Sequence, residues 1–568
     1  MSFSVTYRKA KDKSLLTALT ETTGLLSPQN YNPIHELFFG LSPSNAPNVV
    51  FGAPEYITAI KSKHDDNHYT ITINNQNGLA KDVDTFIKFS PILDPLKHVS
   101  GCYTEDDIHG LPVFGGASHS HPKASRPNNS SYIDMLCSLL STHLNTSTGI
   151  PNLLKFYGSF LGVKHEYRYM ITDDIDAAYE SNFFTSNLGS KFVLEGSLPF
   201  RTDSLSAKPQ LQMGEMCSIG DIEIPTLHDE VFTPQISEPS TVAPQVIELV
   251  KPKALDSEPS DSEPSDSETS DTESEYESSP GGSSLSDFSG QASDNSDSQT
   301  EDEEDAFCRM SKFPCSAIFL EKLEGTLESL ITEDSPSDRE WASALFQTVV
   351  SLVILQKSID FTHNDLHTSN VMWTHTDRVF LCYKIGGRHY KVPTFGKLFK
   401  IIDFGRSIFT YNGITFASDS FEKGEDAEGQ YNYAPFHDPN KPSVPPNKSF
   451  DICRLGCSLF DFFFHRPPKE TDDLSELEKL IAKWCQDEQG KNILYKATGE
   501  ERYPGFKLYK MIARRVTGLE PYNVLASEPL FTQFQCPKKH INKLPVHNID
   551  GIPCMTQKLG SLVNTPTV

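Results

Sequence analysis

A chain of 568 residues with a formal net charge of −26 is long enough for two or three average domains. Its acidity argues against general binding to nucleic acid or anionic lipid, which needs clustered Lys and Arg. The charge is uneven, because residues 256–305 hold 18 acidic and no basic side chains, which leaves −8 for everything else.

Eleven cysteines without a CxxC pair suggest neither a disulfide framework nor a zinc site. The start, MSFSVTYRKAKDKS, has no apolar signal core, so a soluble, cytoplasmic protein with reduced thiols and no membrane contact is expected. In chain order, residues 1–50 offer no readable role. Within 51–200, residues 84–89 (DTFIKF) read as a buried strand ended by Pro91, residues 132–144 have helical spacing, and residues 154–163 read as a strand pair.

Residues 201–312 are Pro- and Ser-rich and then acidic, with the near-repeat DSEPSDSEPSDSETSDTESE. So few apolar side chains cannot offset the entropy of ordering, and a disordered insert is expected. From 313 to 535 the pattern changes. Residues 316–323 read as a strand leading into a short helix, GTLESLI. Residues 338–357 read as a helix capped by Asp338, with Trp341, Leu345, Val349 and Leu352 on one face. Its apolar run, 341–355, is too short and too polar to cross a bilayer. VFLCYKIGGRHYKVP reads as a hairpin turning at Gly386 and Gly387, residues 450–464 as a buried helix, and the chain to about Phe531 as further helices. Residues 536–568 form a tail.

The chemistry gathers after the first of these long helices, in FTHNDLHTSNVMW (361–373). Phosphoryl transfer from ATP asks a protein for a carboxylate that accepts a hydroxyl proton and for oxygen ligands that hold magnesium against the phosphates. Asp365 can be the base and Asn370, five residues on, an uncharged metal ligand. Thirty-three residues later FKIIDFG ends an apolar strand with Asp403, a hard oxygen donor suited to Mg2+, beside Gly405.

HxDxxxxN followed by DFG resembles the protein-kinase superfamily. FDICRLGCSLFDFF, with Asp451, Leu455 and Gly456, resembles the kinase helix that begins under the catalytic loop. IFLEKLEGTLESL resembles the hinge, where Glu321, Lys322 and Leu323 would line the adenine. The resemblance implies an α+β, two-lobed fold, with a small β-rich N-lobe interrupted by the acidic insert and a mostly helical C-lobe. It also implies ATP and Mg2+ as cofactors, Lys88 in TFIKFSP as the phosphate anchor, and a Ser/Thr protein substrate. FIKFSPILDP, FYGSF, HNDLHTSN, SFDICRLGCS and ERYPGFKLYKMIARR are together similar to serine/threonine kinases of large cytoplasmic DNA viruses, which would put the protein in host cytoplasm or virion.

The family pattern is not followed throughout. No GxGxxG precedes Lys88, whose nearest preceding glycines are Gly52 and Gly78, and only Asp134 offers a carboxylate in the helix 132–144. Asn364 replaces an arginine that would receive a phosphorylated loop, and YNYAP (431–435) stands where APE is usual. His367 replaces the lysine two residues after the base, as in haspin-like, aminoglycoside and choline kinases. Two alternatives stay open: a small-molecule kinase, and a pseudokinase scaffold whose acidic insert recruits a basic partner. His363 reads as a bracing residue of the loop, and His119 and His121 as solvated.

Overall fold

The structure, a computed structural model, describes residues 3–10, 13–115, 120–196, 305–333, 336–469 and 471–558. Most of the expected insert, and His119, lie outside the described residues. The insert boundary moves at its end: residues 307–312 begin a long strand, Phe307–Glu321, in which Cys308 and Met310 turn inward before the run 313–320 is buried on both faces.

A mixed α+β architecture results. Its sheet runs Leu25–Gln29, Phe156–Met170, Phe307–Glu321, Ala80–Pro91, His68–Asn75, Glu55–Lys63, with Phe192–Glu195 added beside Phe307–Glu321. All these pairings are antiparallel. The sheet curls until strands distant in the order meet. A Cβ on Gly158 would stand 2.9 Å from Ile57 Cγ2, so the approach requires glycine there. Within 154–163 there is one strand rather than a pair: from Phe156 on, the chain belongs to Phe156–Met170, which pairs with Phe307–Glu321 apart from one irregularity between Phe156 and Gly158.

The first fifty residues join this part. Leu25–Gln29 is an edge strand, and Tyr7–Lys9 pairs with Val49–Phe51. Pro91 lies within the Lys88 strand, opposite Cys315, and helix Ser130–Thr148 packs against the sheet, entirely buried from Ser131 to Thr142.

Beyond the sheet, helices alternate with three small sheets and long irregular segments among the described residues, so this part is less helical than its sequence suggests. The core helix Asp338–Ile359 is capped by Ser337, not Asp338: the Ser337 hydroxyl and N–H both donate to Glu340, at 2.7 and 2.9 Å. At 22 residues it is long and apolar enough to span a bilayer, contrary to the expectation from its sequence, but nearly all of it is packed inside the protein. Its i, i+4 apolar face contributes Trp341, Leu345, Val349 and Leu352 to the core. The hairpin Phe380–Ile385/Arg388–Pro393 turns at Gly386 and Gly387, both at positive φ, and Val546–Asn548 of the tail adds to it in parallel. Helix Phe450–Phe463 packs on Glu476–Trp484. A Cβ on Gly456 would lie 2.6 Å from Trp484 Cβ, so this crossing also needs a glycine.

Candidate active site

The sheet delivers Lys88 to its place. Residue alternation turns Lys88 away from the buried Ile87, toward helix Ser130–Thr148. Its Nζ lies 2.7 Å from Asp134 Oδ2 and 2.7 Å from Asp403 Oδ1. Burial works against the ammonium, but the two carboxylates win and hold its pKa above the ordinary lysine value. Asp134 is buried, and its other oxygen accepts the Phe404 N–H at 3.0 Å. Burial pushes the Asp134 pKa up against the pull of Lys88. Asp403 is kept low by Lys88 despite the opposing effect of its own desolvation. Asp403 has φ +60° and a side chain 44 % exposed, so a strained backbone presents the most open carboxylate of the group.

The loop 361–370 is built on Asp451. This fully buried carboxylate accepts the N–H groups of His363 and Asn364, both at 2.9 Å. Asn364 takes φ +66°, a conformation that asparagine tolerates. Its amide nitrogen donates to the carbonyls of Thr362 and Arg406 at 3.2 and 2.9 Å, and its oxygen accepts the Tyr431 hydroxyl at 2.8 Å. His363 has no exposure. Its Nε2 bonds the Ile402 carbonyl at 2.9 Å and its Nδ1 accepts the Asp365 N–H at 3.3 Å, which is the bracing role read from its sequence context.

Asp365 therefore stands at the end of a fixed loop. Its Oδ1 accepts the Tyr509 hydroxyl at 2.9 Å, and its Oδ2 lies 3.4 Å from Arg406. Burial raises its pKa, but Arg406, His367 and Arg454 outweigh that and bring it to about 2. Asn370 donates to the Asp365 carbonyl at 2.9 Å and to His367 Nε2 at 3.0 Å. Both amide hydrogens are engaged, and the oxygen remains as the group able to meet a cation.

The strand residues divide. The Glu321 N–H donates to the Lys155 carbonyl, and its carboxylate takes the Lys155 N–H at 2.8 Å and the buried Lys400 ammonium at 2.5 Å. The Glu321 side chain is thus partly buried and committed to the Lys400 ion pair, while its backbone ends the strand. The strand ends there, and Leu323, 7 % exposed, belongs to the connector that follows.

Basic residues preceding helix Ser130–Thr148 hold the segment after Gly405. Lys123 lies 2.7 Å from Glu425 and 3.4 Å from Asp419, Lys97 3.1 Å from Glu425, and Arg126 pairs with Glu422. Asp419, almost wholly buried, accepts the Ser130 N–H at 2.8 Å, at the start of the helix that carries Asp134. Arg406 also pairs with Asp426.

No family model matches the chain. A stretch of 134 residues is 30 % identical to serine/threonine-protein kinase haspin of Mus musculus, covering 23 % of this chain and 17 % of that protein. The Bos taurus haspin matches at 30 % over 133 residues, 23 % of this chain and 16 % of its own length. The chain thus spans about a sixth of these curated relatives. The similarity supports a protein-kinase-like relationship.

Sequence reasoning missed Tyr509, Arg406 and the cations Lys97, Lys123 and Arg126, whose partners are far away in the chain. The turn adjoining Lys88 was also unread. Residues 64–67 (HDDN) join the two strands before it, and the Asn67 side chain and carbonyl bond the Ile87 backbone at 2.9 and 2.7 Å. This turn has no glycine. Asp65 bonds the N–H groups of Asn67 and His68, which bring its pKa to about 2. Gly78 sits at the other end of the hairpin.

Proposed function

We propose that the protein is an ATP- and Mg2+-dependent serine/threonine protein kinase with a two-lobed kinase fold. The observation that carries this reading is Lys88 held between Asp134 and Asp403, with Asp365 and Asn370 on the braced loop beside them. Lys88 would anchor the α- and β-phosphates. Asp403 and Asn370 supply two oxygen donors, a set that fits Mg2+ because this ion keeps waters and phosphate oxygens as its other ligands. Bound magnesium would offset the phosphate charge. Asp365, ionised at every working pH, would receive the hydrogen bond of a Ser or Thr hydroxyl and orient it for in-line attack. His367 would hold Asn370 through its ring nitrogen, and the backbone around Leu323 would meet the adenine edge.

A second reading, a scaffold without transfer activity, is favoured by the carboxylate-bearing turn 64–67. The test is Mg2+-dependent transfer of labelled phosphate from ATP to the protein itself and to protein acceptors, for wild type, Asp365→Ala and Asp403→Ala, with aminoglycosides and choline as further acceptors. Transfer to protein that both substitutions abolish supports the kinase. Transfer to the small molecules alone would make it a small-molecule kinase, and none to any acceptor would favour the scaffold.

A further inference from the structure

The catalytic-loop carboxylate has an unusual neighbour. Tyr509, which bonds Asp365, lies on helix Lys507–Arg515, KLYKMIARR, which has four basic residues and no acidic one. Tyr509, Ile512 and Ala513 face inward, while Lys507, Lys510 and Arg514 recur at i, i+3 and i+7 along another face. Lys507 and Arg514 are exposed and Lys510 is half-buried.

Among the described residues none of these three cations forms an ion pair with a carboxylate. Lys507 and Lys510 lie over the rings of Tyr503 and Phe506, and Arg514 donates to the carbonyls of Gly429 and Gln430, at 2.9 and 3.1 Å. A Cβ on Gly429 would lie 3.4 Å from Lys510 Cε and Nζ, so the end of this side chain passes close to that glycine. Burial first, and then Arg514, lower the Lys510 pKa; Glu428 pulls the other way, and Lys441 adds a smaller lowering. Nearby carboxylates are engaged elsewhere: Glu425 by Lys97 and Lys123, Asp426 by Arg406, Glu422 by Arg126, and Glu428 by the Gly424 N–H. A cationic face with no anion of its own therefore borders the loop 429–431 and, through Tyr509, the base.

We propose that this face selects acidic acceptors: a Ser or Thr flanked by Asp or Glu, bound with its carboxylates against Lys507, Lys510 and Arg514. The proposal rests on the kinase reading above and names its substrate class. A peptide is favoured over nucleic acid because three cations make a short site, and the rest of the chain is net negative and would repel a long polyanion. The chain itself contains such a sequence, since residues 256–275 interleave Ser and Thr with Asp and Glu throughout.

The experiment measures kcat/KM for a peptide with the sequence of residues 256–275, for its isostere with every Asp and Glu changed to Asn and Gln, and for a basic serine peptide. The enzyme is the full chain, as wild type and as Lys507→Glu/Lys510→Glu. Competition from the chain's own acidic segment divides out of the ratios. Expected is a preference of at least tenfold for the acidic peptide over its isostere, falling at least tenfold in the double variant. Equal rates for the two peptides, a preference for the basic one, or a ratio that the charge reversal leaves in place would overturn the proposal. Anisotropy of the labelled acidic peptide, read alongside a single-stranded oligonucleotide, gives an arm free of catalysis. Peptide binding that the reversal removes, even without phosphate transfer to any acceptor, would keep the surface and discard the kinase. Oligonucleotide binding at equal strength, or no peptide binding, would reject the surface as an acidic-peptide site.

Discussion

Replacing Asp134 with Asn tests whether Lys88 depends on a partner one methylene shorter than the glutamate usual in kinases. The carboxylate has almost no exposure and accepts from two donors, Lys88 Nζ at 2.7 Å and the Phe404 N–H at 3.0 Å. Asparagine keeps the shape, but it can accept only one of those bonds and turns an NH2 toward the other donor. Removing one partner of a buried ion pair costs about 3–5 kcal/mol. Here Lys88 is 26 % exposed and keeps Asp403 at 2.7 Å, so the loss should lie lower, at about 2 kcal/mol. By differential scanning fluorimetry that is a fall of roughly 2 °C in a chain of this length. If the same contact positions Lys88 on phosphate, kcat/KM for ATP falls by about thirtyfold. A melting temperature within about 0.5 °C of wild type and a kcat/KM within about twofold, well below the cost of breaking a buried pair, would show that Asp403 alone holds the lysine.

Further expectations test other parts of the site. Asp365 is held at about 2, below its unfolded value, so its contribution to stability is complete above about pH 4 and is lost as the pH falls through 2. Arg406→Met removes the strongest of the charges that lower it, and should shift the acid limb of the pH–rate profile upward; an unmoved limb would assign the low pKa to other groups. Glu321→Ala leaves the Lys400 ammonium buried without its partner and should destabilise the chain by about 3 kcal/mol, read from thermal unfolding, whereas an unchanged transition would deny the pair any structural weight. Lys123→Ala frees Asp419 and Glu425, and limited proteolysis should then cut within residues 419–428 faster than in wild type. Equal cutting rates would mean that Lys97 and Arg126 suffice to hold that segment.

Local chemistry was readable and long-range pairing was not. The loop 361–370 and Asp403 carry their residue types at fixed spacings, and the helix patterns at 130–148, 338–359 and 450–463 follow the 3.6-residue period. Asp134 was singled out only as the one acid in its helix, and the structure brings it to Lys88. The ion pair of Glu321 was illegible because nothing local reveals that Lys400, 79 residues later, returns to it. The cap of helix 338–359 was read one residue late because Asp338 is as good a capping residue as Ser337; only Glu340, three residues after the serine, distinguishes them. The acidic turn at 64–67 gave no signal because a search for glycines passes over a turn closed by side-chain bonds from Asp65.

The way residues 419–425 are held bears on how such a protein could be governed. In a switchable enzyme an added phosphate supplies the negative charge that orders this part of the chain. Here the charges are written into the polypeptide as Asp419, Glu422 and Glu425, their cations are already matched, and Asn364 offers a new phosphate no positive charge. The ordering is complete as soon as the chain has folded. Order at residues 419–425 is thus a product of folding itself, and removing one of these carboxylates would loosen the segment in a way that no later event in the life of the chain makes good.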